Sequence, residues 1–193
     1  MSSDGHDPED TLPAPLFDML DLDSVSDEAE PDASIAVGDH LVTGTDAHDG
    51  EIDLEALCRL AAAVLTGESA PAGQLDLHLV DIDTMRELNQ THMQVDEPTD
   101  VLAFPLDLDD AGLGSAGERS PLLGDVVICP EVAFAQAAGH TGSFESEMAL
   151  LTIHGTLHVL GHDHGETRER LQMQARERRH LAAIDVAHPV PAP

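Results

Sequence analysis

The chain has 193 residues, enough for one ordinary domain with a real core plus an appendage and too few for two full-sized domains. Its 38 acidic residues against 8 basic ones, all arginine, give a formal charge of −30, which disfavours unspecific attraction to nucleic acid or an anionic membrane but leaves room for a local basic patch. No run approaches the roughly 18 apolar residues of a membrane span, and the N-terminus has neither the basic start nor the apolar segment of a signal peptide, so a soluble, cytoplasmic protein is expected.

Residues 1–50 hold 14 acidic residues, four prolines and no basic residue. Low hydrophobicity with high charge predicts disorder for most of this stretch, and the boundary of the extension is placed at residue 33. Residues 34–42 read as the first strand. From Asp53 the apolar residues Leu54, Leu57, Cys58, Ala61, Val64 and Leu65 recur at helical spacing until Gly67. Leu75, Leu77 and Leu79 alternate with polar residues as in a half-buried strand, which turns His78 to the other face. Asp83 is the expected cap of a second helix over 84–92, ended by the segment around Pro98.

A short strand over 101–104, an exposed glycine- and aspartate-rich loop over 106–120 and a strand over 126–129 come next. Pro130 starts a helix where its missing donor does no harm, and Ser143 caps a longer one that runs to residue 160. A last helix over 166–183 carries five of the eight arginines. Its alternation of Arg168, Arg170 and Arg176 with Glu166, Glu169 and Glu177 reads as a solvated face in preference to an RNA contact. Cys58 and Cys129 fall in apolar runs and read as small buried thiols. The expected fold is α+β, an α/β-type sandwich with one mixed sheet of about four strands and about five helices over 34–185, followed by a flexible tail over 186–193.

The chemistry concentrates in HGTLHVLGHDH over 154–164, which has four histidines in eleven residues. His154 and His158 are four apart and share one helix face, where apolar neighbours would make unpaired imidazoles costly and metal ligation would remove that cost. Gly161 is suited to ending the helix and turning the chain back. On a straight helix His162 would lie about 12 Å along the axis from His154, too far to close a tetrahedron, whereas chain reversal at Gly161 brings in His164. His154, His158 and His164 are therefore the expected ligands of one zinc ion, with His162 in an adjacent wall. Three protein nitrogens leave a fourth position for water, the pattern of a catalytic zinc and hence of hydrolysis. The same histidine spacing occurs in metzincin peptidases, but those place glutamate directly after the first histidine as general base, and here the residue is Gly155.

The 154–164 block resembles the HGxLHLxGYDH block of the YbeY family of zinc-dependent endoribonucleases. Leu88 and Asn89, Asp96, the run PTDVL over 98–102 with Phe104 and Pro105, and GDVVI over 124–128 extend the resemblance to roughly residues 51–183. It implies a zinc held by His154, His158 and His164, and a single-strand-specific endoribonuclease acting in maturation of the small-subunit rRNA 3′ end. The implied partners are single-stranded rRNA and the ribosomal small subunit or its associated proteins, with no DNA and no membrane. Asp163, Asp125 and His162 are candidates to support the ligands.

The chain departs from the family pattern in three places. His162 stands where a tyrosine is common, Met93 where many members have an arginine, and Trp and Tyr are absent from a very acidic chain. Met93 means that a cationic contact has been lost or moved, and the acidic, Trp- and Tyr-free chain points to recognition delegated to the ribosome or a protein partner in preference to weak binding of free RNA. The competing readings are a zinc-dependent peptidase, which would need another base, and a non-catalytic, zinc-stabilised ribosome-assembly factor.

Overall fold

The computed structural model describes residues 31–48, 51–106 and 121–190. Residues 1–30 of the acidic extension and nearly all of the 106–120 loop, both read from composition above, lie outside the described residues, and Ala33, placed at the end of the extension, begins the first strand. The ten elements are β1 (Ala33–Val37), β2 (His40–Asp46), α1 (Leu54–Gly67), β3 (Gly73–Leu79), α2 (Ile82–Met93), β4 (Val101–Pro105), β5 (Leu122–Ile128), α3 (Pro130–Ala137), α4 (Phe144–Val159) and α5 (Thr167–Ala182). The strands form one mixed sheet in the order β1-β2-β3-β5-β4. Its two outer pairs are antiparallel and its two inner pairs parallel.

The α+β class is as expected, with five strands in place of about four. The stretch read as a single first strand is a hairpin, because Gly38 takes a left-handed conformation (φ +59°) and reverses the chain between β1 and β2. β5 also starts earlier than the apolar run at Val126. Gly124 and Asp125 belong to the strand, and a Cβ at Gly124 would lie 2.3 Å from the carbonyl oxygen of Phe104 on β4. That glycine permits close strand approach; it does not mark a turn.

Local capping explains the helix starts. Asp53 accepts from the backbone N–H of Ala56 and starts α1, a contact worth about 1 kcal/mol by analogy with other N-caps. The cap of α2 is Asp81 and not Asp83: its carboxylate accepts from Thr84 N at 2.8 Å, while Asp83 sits in the first turn. Both aspartates precede the apolar positions, but only Asp81, leaving β3, has the extended backbone a cap requires. Ser143 caps α4 as expected, accepting from Ser146 N at 3.1 Å.

The strand alternation then sorts residues between two faces. Leu75, Leu77 and Leu79 are fully buried under α1, α3 and α4, in a core that includes Leu57, Cys58, Ala133 and Met148. The other face is covered over β4 and β5 by α2, through Met85 and Leu88 against Leu102 and Val127. α4 is buried nearly all round, as a helix apolar on every side must be. One side of it meets the sheet, and the other meets Val64 of α1 and Met173 and Leu181 of α5. Its buried Glu147, with no exposed surface, accepts hydrogen bonds from Thr141 Oγ1 at 2.7 Å and contacts His140 Nδ1 at 2.9 Å. Cys58 and Cys129 are free, buried thiols. No helix among the described residues is long and apolar enough to cross a membrane.

Candidate metal centre

α4 ends as its sequence dictates. Gly161 adopts φ +80°, its N–H donates to His158 O at 2.8 Å, and the N–H of His162 donates to Leu157 O at 3.0 Å. These are the two bonds of a Schellman stop, and they turn the chain sharply after Leu160. The turn returns His164 to the two helix histidines: one ring nitrogen from each of His154, His158 and His164 lies within 4.8 Å of the others. The Nε2 atoms of His154 and His158 are 3.1 Å apart, and the ring of His164 lies 5.4 Å and 5.0 Å, centre to centre, from theirs.

The separation of the first two nitrogens suits a shared ion. Two nitrogens at about 2.0–2.1 Å from a tetrahedral metal are roughly 3.3 Å apart. Burial holds His158 well below the ordinary imidazole range, to about 4, with the neighbouring His154 and His164 pushing the same way. His158 is therefore neutral at pH 7, the protonation state in which imidazole ligates a metal. Three imidazoles without an acidic ligand make a donor set suited to zinc.

His154 is aimed by a residue that the sequence did not single out for this role. Its Nδ1 lies 2.7 Å from Glu177 Oε1 of α5, and the second oxygen of that carboxylate lies 2.7 Å from His188 Nε2. Burial alone would raise the Glu177 carboxyl, but hydrogen bonds from His154 and His188 hold it below its usual value. With the proton on Nδ1, the Nε2 lone pair of His154 is free to face inward. A signal for Glu177 was present: it lies four residues after buried Met173 and four before buried Leu181, a carboxylate on the apolar stripe of an otherwise solvated helix. His188, in the stretch expected to be a flexible tail, has its side chain 5% exposed against Glu177.

The three supporting candidates separate. Asp163 is beside the cluster and accepts from the backbone N–H of His164 at 2.6 Å, an interaction that lowers its pKa and fixes the returning loop. His162 is not gathered with the other three histidines; its Nε2 lies 3.8 Å from Glu68, beside Arg176. Asp125 is on the opposite face of the sheet. It is 2% exposed, lies 3.2 Å from His78 Nε2, and His78 Nδ1 in turn lies 2.8 Å from Thr45 Oγ1. Reading Asp125 as a support for the ligands is corrected by strand alternation, since the adjacent Val126 is the residue that faces α4.

Gly155 does more than omit a general base. A Cβ at this position would lie 2.5 Å from Val126 Cγ1 and 3.2 Å from Val101 Cγ2, so α4 can press onto β4 and β5 only with glycine there. A larger residue there would have to push Val126 and Val101 aside, so glutamate at this position would disturb the packing of α4 on the sheet. A cleft of about 350 Å³ opens beside the cluster, lined by Met93, Asp100, Val101, Pro105, His154 and His158. Met93 is 51% exposed and brings no charge to it.

The motif around Pro98 shapes this cleft. Asn89 is buried and donates to Glu97 O at 2.7 Å, while Arg86 pairs with Asp96 at 2.7 Å. Asp100 accepts from the backbone N–H of Val101 at 2.9 Å and from Thr99 Oγ1 at 3.2 Å. These bonds fold the loop onto α2 and set the entry into β4. Among the arginines of α5, Arg176 and Arg179 pair with Glu68, and Arg178 donates to Val190 O. They tie α5 to its surroundings and do not form one continuous basic face.

The family model Endoribonuclease YbeY matches residues 45–185. The Endoribonuclease YbeY of Salinispora tropica is 46% identical over 141 residues, 69% of this chain and 88% of that protein. That of Nocardia farcinica is 49% identical over 115 residues, which are 58% of this chain and 61% of the relative's length. A solution structure of TM1509 from Thermotoga maritima matches with a TM-score of 0.49 and 25% identity, covering 74% of this chain and 91% of that one. With the family model spanning most of the chain and the relatives at this identity, the chain belongs to the Endoribonuclease YbeY family.

Proposed function

We propose that the protein is a metal-dependent endoribonuclease that cuts single-stranded RNA, with one zinc ion held by His154, His158 and His164. The observation that carries this reading is the convergence of three imidazole nitrogens at the edge of a cleft. Membership of the family supports RNA as the substrate. A divalent metal at these nitrogens supplies Lewis-acid polarisation of a phosphoryl oxygen.

The chain's own residues do the rest. Glu177 accepts the Nδ1–H of His154 and holds that ring in one tautomer. Asp163 restrains the loop that carries His164, and Gly155 lets the floor of the cleft form close under the histidines. Val101 and Pro105 wall the cleft on the β4 side. His162 forms a wall on the α5 side with Glu68 and Arg176, outside the ligand set.

The proposed physiological substrate is the 3′ end of small-subunit rRNA in the cytoplasm, presented by the ribosomal small subunit or its associated proteins. The chain's charge of −30 and its lack of Trp and Tyr support presentation by a partner over strong binding of free RNA. Faster cleavage of rRNA within ribosomal particles than of the same RNA naked is expected, and equal rates would remove the partner.

The deciding experiment replaces His158 with alanine, verifies the fold by circular dichroism, and assays zinc content and cleavage of a single-stranded RNA. Loss of both with the fold intact is expected. A folded variant that cleaves normally would defeat the catalytic reading and leave a non-catalytic assembly factor.

A further inference from the structure

A second pocket, of about 260 Å³, meets the histidine cluster from the α5 side and shares His154, His164, Asp100 and Val101 with the first cleft. Its apolar lining comes from Leu150, Leu151 and Met173, all buried, and the one arginine lining it is Arg170. Every other arginine of α5 except Arg168 has a partner: Arg176 and Arg179 pair with Glu68, and Arg178 donates to Val190 O. Arg170 is exposed, and among the described residues its guanidinium has neither an ion pair nor a hydrogen bond.

Of the two carboxylates at this pocket, Glu177 is engaged at both oxygens and Asp100 at one. Both oxygens of Glu177 are taken by His154 and His188, and Asp100 accepts from Val101 N and Thr99 Oγ1. In a chain of charge −30, Arg170 is the one arginine at this pocket, and among the described residues no carboxylate pairs with it. The planar guanidinium suits the paired oxygens of a phosphodiester.

Resting on the endoribonuclease reading, we propose that this pocket is a subsite for an RNA backbone phosphate next to the one being cut, with Arg170 as its anchor. Arg170 binds and positions the strand; it takes no part in bond breaking. The strand then crosses the histidine cluster between the two clefts, held on the α5 side by the arginine that lines the pocket.

The test uses the full zinc-loaded chain as wild type, Arg170→Ala and Arg170→Lys. Steady-state kinetics on a single-stranded oligoribonucleotide are combined with binding of a single-stranded oligodeoxyribonucleotide as an uncleaved phosphate probe between 50 and 200 mM salt. Arg170→Ala should raise KM about tenfold with kcat within about threefold, and lower the salt slope of probe binding by about 0.7, the value for one phosphate contact on a single strand. Arg170→Lys should recover most of both, and zinc content should be the same in all three proteins. Unaltered KM, probe affinity and salt slope in Arg170→Ala would overturn the subsite. Arg170-dependent probe binding by a wild-type protein that cuts no RNA would sink the nuclease reading and keep the phosphate subsite. Normal cleavage by all three proteins with identical KM would do the reverse.

Discussion

A single histidine on one face of the sheet and a group of three on the α4 side are opposites. On the β2–β3–β5 face, His78 is held at both ring nitrogens, by Thr45 Oγ1 and by the carboxylate of Asp125. Its hydrogen-bonding capacity is filled and nothing remains for a ligand. On the α4 side, the Nε2 atoms of His154 and His158 point at each other at 3.1 Å, and His164 closes the group. Lone pairs converging without other donors are what a cation would satisfy. A histidine beside a carboxylate is thus no site by itself. What distinguishes the two sides is whether the carboxylate takes the outer nitrogen, as Glu177 does for His154, or the inner one.

The largest contrast should appear on truncating one histidine from each side. His158→Ala should lose stoichiometric zinc and reduce RNA cleavage by more than about a hundredfold, while His78→Ala keeps both. Zinc content by mass spectrometry and a cleavage assay decide this, and equal losses would erase the distinction. Glu177→Ala comes next. Removing the carboxylate that holds His154 should weaken the proposed zinc binding by about 10–100-fold, measured by chelator competition, with the helix content unchanged. Asp125→Ala should leave that affinity alone.

A smaller effect is expected on stability. Asp125→Ala leaves His78 without its buried partner and should cost about 1–3 kcal/mol in urea denaturation. The last test is pH. In metal-free protein the folded-state pKa of His158, about 4, lies below the ordinary value of 6.5. The unfolded chain therefore binds more protons between these values, so stability is fully present above pH 6.5 and falls as pH drops toward 4. His158→Gln should flatten that part of the denaturation profile.

Periodicity and capping made most elements legible. Alternating leucines defined β3, Asp53 and Ser143 marked two helix starts, and Pro130 marked a third. Errors arose where one residue type serves two purposes. Asp83 resembled a cap as well as Asp81 did, and Gly124, placed before the strand, lies within it for close approach to Phe104. Gly38, in turn, divided what read as one strand into a hairpin.

Sequence by itself determined the three converging histidines, because the four-residue spacing and the stop at Gly161 are local consequences of helix geometry. It likewise ruled against a glutamate base after His154. Only the tertiary structure showed that Gly155 is required by Val126 and Val101, that Asp125 faces away from the cluster, and that Glu177, 23 residues after His154, aims its ring. It also left Arg170 without a partner among the described residues, at the pocket beside the histidines, while engaging Arg176, Arg178 and Arg179 of α5. The physical reason is the same in each case: these roles depend on which elements pack together, and packing joins residues whose separation along the chain carries no periodic signal.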